Sequence, residues 1–147
     1  MERGEKPGTW SIMGSMTCAA RFVRSMKLGR IMVPGNNGTH FVKIVDGITG
    51  LDVPGGSATV NIARGTPGSF IYGALASPIT LDANRMYYFL SQETQGGDQW
   101  YDYNTTVQTS NIARESVAAY SWGVLYVTTG LPGQTYGPVD FQYAPAN

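Results

Sequence analysis

Apolar and polar residues alternate from Ser57 to Arg64: Ala58, Val60 and Ile62 take one parity, Thr59, Asn61 and Ala63 the other. A period of two marks a half-buried strand. Val139 to Tyr143 repeats the pattern, with Val139, Phe141 and Tyr143 inward and Asp140 and Gln142 outward. Phe41 to Val45, Phe70 to Leu75 and Met86 to Leu90 are aromatic or β-branched on both parities. They predict central strands covered on two sides, or strands whose outer face is a binding surface. Turn signals separate these runs: Pro34-Gly35-Asn36-Asn37-Gly38, Asp46-Gly47, Pro54-Gly55-Gly56, Gly65-Thr66-Pro67-Gly68, Asp82-Ala83-Asn84, Gly96-Gly97-Asp98 and Leu131-Pro132-Gly133.

Short strands with this punctuation predict an all-β chain with negligible helix, an antiparallel β-sandwich of jelly-roll-like form in preference to a barrel. Asn111 to Tyr120 is ambiguous. Ile112, Glu115, Ala118 and Ala119 fall at helical spacing behind Ser110 or Asn111 as cap, but apolar content is low, and a strand or loop with a helical turn is preferred. Nothing marks a second domain. Residues 1–147 read as one module, with residues 1–8 a flexible N-terminal extension.

Composition agrees with this picture. Glycine is abundant, with 19 residues, tyrosine is common, and strong helix formers are sparse. Lys and Arg are scattered and the formal net charge is zero, which argues against nucleic acid and anionic membrane as partners. No apolar run is long enough to span a bilayer. The stretch from Met1 to Pro7 is polar and reads as no signal peptide; the chain is expected to be an excised module or mature form, with Met1 supplied by cloning. Cys18 is the only cysteine, so no intrachain disulfide forms, and it reads as a buried structural thiol.

The chemistry concentrates between Gln95 and Asn104. After a Gly96-Gly97 turn, Trp100, Tyr101 and Tyr103 interleave with Asp98, Gln99, Asp102 and Asn104. On an extended segment Trp100, Asp102 and Asn104 share one face, which Asp102 marks as wet. An indole beside planar hydrogen-bonding groups suits a sugar ring: its C–H face stacks and its hydroxyls meet carboxylate and amide. The expected contacts are Trp100, Asp98, Gln99, Asp102 and Asn104, with Trp122 as a second platform sharing parity with Tyr126, and Tyr136 walling a groove. Tyr101 and Tyr103 read as core. Glu93, Asp98, Asp102 and Asp140 supply carboxylates, but a glycosidase pair needs a deep cleft and one raised pKa, so no enzymatic activity and no catalytic residue is expected. No cofactor is required; the same oxygens with turn carbonyls admit structural calcium, while one histidine and one cysteine give zinc no support.

Several segments also resemble one kind of module. They are Leu28-Gly29-Arg30, Val33 to His40, Ala76 to Leu81, Tyr87 to Thr94, Gly96 to Tyr103, and Thr135 to Phe141. The chain resembles, over roughly Leu28 to Tyr143, accessory β-sandwich modules appended to secreted bacterial glycoside hydrolases and other surface proteins. It departs from that pattern between Asn111 and Leu131, where Arg114, Glu115 and Trp122 stand in a stretch that is usually small and polar. The resemblance implies an extracellular carbohydrate-binding module, monomeric, attached to a parent glycoside hydrolase catalytic domain and binding polysaccharide such as β-glucan, xyloglucan or mannan. A structural or adhesion module without sugar affinity remains the alternative.

Overall fold

The computed structural model describes residues 11–19, 23–93, 97–99, 105–106, 113–121, 126–129, 134–135 and 139–145. Their strands are β1 (Ser11–Ala19), β2 (Val23–Ile31), β3 (Thr39–Asp46), β4 (Asp52–Asn61), β5 (Phe70–Leu81), β6 (Arg85–Glu93), β7 (Thr105–Thr106), β8 (Ala113–Ser121), β9 (Tyr126–Thr129), β10 (Gln134–Thr135) and β11 (Val139–Pro145). A single 3-10 turn, Ile62–Arg64, follows β4, where the Asn61 side chain accepts the Ala63 N–H at 3.0 Å. The ambiguous segment after Asn111 resolves as strand over its described part: β8 pairs with β1 on one side and β9 on the other.

The strands form a six-stranded sheet in the order β4-β3-β6-β1-β8-β9, a three-stranded sheet in the order β11-β2-β5, and the ribbon β10-β7. All pairings are antiparallel. The two larger sheets pack into a sandwich, as the alternating runs predict. Between them lie Leu28 of β2, Val42 and Ile44 of β3, Ala58 and Val60 of β4, Leu75 and Leu81 of β5, Tyr87 and Phe89 of β6 and Val139 of β11. Phe141 of β11 stacks on Phe89 of β6, ring centroids 4.1 Å apart, and so joins the two sheets.

Both parities of β6 are covered. Tyr87 and Phe89 face the inter-sheet core, while Tyr88 and Leu90 join Val45 and the ring of Tyr126 on the opposite face. Strand β5 differs: Ile71 packs inward, but Phe70, on the other parity, is 37% exposed.

Two glycines allow close approach, one between the sheets and one within the three-stranded sheet. At Gly73 of β5 a Cβ would lie 2.1 Å from the Thr59 carbonyl oxygen of β4, so backbone meets backbone where the sheets converge. At Gly29 of β2 a Cβ would lie 2.7 Å from the Tyr72 ring. Tyr72 on β5 and Asp140 on β11 both pair with Gly29 from opposite sides. The ring therefore crosses a bare stretch of β2, and its hydroxyl donates to Asp140.

Candidate functional site

Alternation carries charged residues into the sandwich at one end. On β2, Leu28 and Arg30 share the inward parity; on β3, Val42 and His40; on β6, Phe89, Ser91 and Glu93. The first member of each set lies in the apolar core. The remainder form a polar layer above it, in which Arg30 and Ser91 are fully buried and Glu93 and His40 nearly so.

A buried carboxylate needs partners, and Glu93 has three. Arg30 grips it with Nε on Oε2 at 3.0 Å and Nη2 on Oε1. Ser91 Oγ donates to Oε2 at 2.6 Å, and His40 Nδ1 lies 3.3 Å from the same oxygen. The Arg30–Glu93 pair spans the two sheets, from β2 to β6.

The layer continues outward through His40. Its Nδ1 also lies 3.1 Å from the Gln92 carbonyl oxygen, and its Nε2 lies 2.9 Å from Asp98 Oδ2. Asp98 further accepts the Asn37 N–H at 3.1 Å and the Gly38 N–H at 2.8 Å. Next along the chain, the Gln99 carbonyl accepts from Arg30 Nη2 at 3.0 Å and Asn36 Nδ2 at 2.6 Å, while its N–H donates to Asn36 Oδ1 at 3.0 Å. The segment Gly97–Gln99 is thus bound to the end of the sandwich by residues of β2, β3 and the loop between them.

The charges reinforce one another. Burial opposes the positive charge on His40, but the hydrogen bond and charge of Glu93, helped by Asp98, outweigh it and raise its pKa. Burial likewise works against ionised Glu93 and Asp98. His40 and Arg30 hold the first below the usual carboxylate range; His40 and the Asn37 and Gly38 N–H groups hold the second there.

Outside this layer lies a groove of about 400 Å³ lined by Asn37, Gly38, Thr39, His40, Phe41, Gln92, Gly97 and Asp98. Phe41 and Gln92 have the parity of Lys43, Val45, Tyr88 and Leu90, so the groove opens onto the outer face of the six-stranded sheet. Along that face the Tyr126 ring packs on Tyr88, centroids 5.5 Å apart, with the Lys43 ammonium 5.9 Å from its centroid.

Of the site residues expected from sequence, Asp98 borders the groove with both oxygens already bonded, Gln99 is not among the groove's lining residues and bonds through its backbone to Arg30 and Asn36, and Tyr126 lies on the outer sheet face. Trp100, Asp102, Asn104, Trp122 and Tyr136 lie outside the described residues. Arg30, Asn36 and His40 had no place in the expected site. The signal for them was a charged or polar residue at inward parity next to an apolar one, which becomes legible only once neighbouring strands are aligned. Four of the segments that carry the family resemblance, those holding Arg30, Asn36 to His40, Glu93, and Asp98 with Gln99, meet in this layer.

Among the described residues no group of three or more His, Cys, Asp or Glu is placed to hold a metal ion. No family model, no curated protein and no solved structure matches this chain.

Proposed function

We propose that the protein is a non-catalytic carbohydrate-binding module that takes a neutral polysaccharide in the groove at this end of the sandwich. The groove carries this reading. Its lining includes the Asn37 and Gln92 amides, the Thr39 hydroxyl and the Phe41 ring. Amides and a hydroxyl present both donors and acceptors, as sugar hydroxyls do, and an aromatic ring suits the apolar sugar face. The carboxylate at the edge is neutralised by His40, which fits an uncharged ligand.

The carboxylates also support a binding role over hydrolysis. Glycoside hydrolysis needs one carboxylic acid with a raised pKa. Glu93 and Asp98 are both shifted the other way, and Glu93 is sealed beneath the groove. The parent glycoside hydrolase, extracellular location and monomeric state implied by the family resemblance belong to this reading.

Native gel retardation by soluble β-glucan, xyloglucan and mannan tests it. Retardation by at least one polymer is expected. Gln92→Ala and Trp100→Ala should each weaken it, the second by roughly ten- to hundredfold if base-type stacking of about 1–3 kcal/mol is lost. No retardation by any polymer would sink the reading and favour an adhesion module, for which Ile48 and Leu51, each 68% exposed at the β3–β4 turn, are the surface to examine.

A further inference from the structure

We propose that His40 is a proton-dependent positioning residue: its imidazolium latches Asp98, and with it the Gly97–Asp98 wall of the groove, to the end of the sandwich, and loss of one proton releases that wall. The inference rests on the groove being the binding site only in its consequence for sugar affinity; the latch itself is a property of the free protein.

The geometry sets which bond gives way. Both ring nitrogens of His40 face acceptors. Nδ1 meets the Gln92 carbonyl at 3.1 Å and Glu93 at 3.3 Å; Nε2 meets Asp98 at 2.9 Å. Only the doubly protonated ring can donate on both sides. The charged groups facing it among the described residues are Glu93 on β6, Arg30 on β2 and Asp98 on the 97–99 segment. When one proton leaves, the proton that remains sits best at Nδ1, which has two acceptors, one an ionised carboxylate with no exposure of its own. Nε2 then presents a lone pair to an ionised Asp98, and the contact turns from attraction to repulsion.

Asp98 is the partner able to respond. Glu93 is locked by Arg30 and Ser91, whereas the Asp98 side chain is 10% exposed and can rotate toward solvent. Leaving, it abandons the Asn37 and Gly38 N–H groups. The Gln99 anchors to Arg30 and Asn36 do not pass through the imidazole. The release is therefore local: the wall loosens at Gly97 and Asp98 while the segment stays tethered at Gln99.

Hydrogen exchange of the ligand-free protein, followed by NMR across the His40 titration, tests the latch. The Asn37 and Gly38 amide protection factors, corrected for the intrinsic pH dependence of exchange, should fall by about tenfold or more as the imidazole deprotonates, the scale of a lost charge-assisted hydrogen bond. Amides of the β3–β6 pairing should keep their protection. In His40→Gln, which can donate a hydrogen bond to Asp98 but does not titrate, the Asn37 and Gly38 protection should be independent of pH. Unchanged protection of Asn37 and Gly38 across the His40 titration would overturn the latch, as would equal loss throughout the sheet. Soluble β-glucan affinity measured in parallel separates the readings: a latch that opens in a protein that binds none of the polymers refutes the proposed function and leaves the latch standing.

Discussion

Arg30→Met is the most direct trial of the polar layer. The change keeps most of the side-chain volume and removes the guanidinium. It deletes both contacts to Glu93, the bond to the Gln99 carbonyl and the bond to the Ile31 carbonyl. Removing one partner of a buried pair usually costs about 3–5 kcal/mol, because the other charge is left uncompensated. Here Glu93 retains Ser91 and His40, so the lower end, about 3 kcal/mol, is expected. For a chain of this length that is a fall in Tm of roughly 6–12 °C. Urea denaturation gives the free energy directly, and an unchanged m-value would assign the change to stability alone. The double variant Arg30→Met/Glu93→Leu should lose less than the sum of the two single variants, with a coupling of about 1 kcal/mol or more. If Arg30→Met costs under about 1 kcal/mol, the pair behaves like an exposed ion pair, and the account of a charge layer sealed between two sheets is wrong.

Two further expectations concern pH and the bare stretch of β2. His40 has a raised pKa, so its contribution is complete below its ordinary 6.5 and is lost as pH rises through the folded value. Glu93 and Asp98 have lowered values, so theirs is complete above their ordinary 4.5 and 3.8 and is lost as pH falls through the folded values. Unfolding free energy should therefore peak between about pH 5 and 6.5; a rise in stability from pH 6 to 9 in denaturant titrations would contradict the assignment of charge to His40. Gly29→Val should push the Tyr72 ring off β2 and part its hydroxyl from Asp140. Burial first, and then that carboxylate, raises the Tyr72 phenol far above its ordinary value, so an ultraviolet-monitored alkaline titration should show one tyrosine ionising earlier in the variant, and an unchanged curve would refute the contact.

The strands were legible where each side chain's environment follows from its own parity. Ala58, Val60 and Ile62 are buried as their alternation predicts, and Phe141 packs against the core. The polar layer was not legible, for a physical reason. Glu93 and Asp98 stood out as carboxylates, but what defines their chemistry is Arg30, 63 positions from Glu93, and His40, 58 positions from Asp98. No local window contains both members of either pair. Strand β5 shows the converse: its run of apolar residues on both parities suits a covered strand, yet Phe70 on its outer parity is partly in water. Whether anything covers a strand's outer parity, which hydropathy does not encode, decided the outcome.

That same sheet order bears on how the protein meets its own copies. Among the described residues the two larger sheets end in β4, β9, β11 and β5. Three of these four outermost strands carry a proline: Pro54 in β4, Pro78 in β5 and Pro145 in β11. Pro54 lies within the register shift between β3 and β4, and Pro78 within that between β2 and β5. A foreign strand adding to a sheet needs an unbroken row of N–H and C=O groups, and each proline deletes an N–H. The chain is rich in β-branched and aromatic runs that would template cross-β growth if laid along a straight edge. The interrupted margins at β4, β5 and β11 turn that pairing tendency toward the interior of the fold, where it closes the sandwich instead of recruiting neighbours.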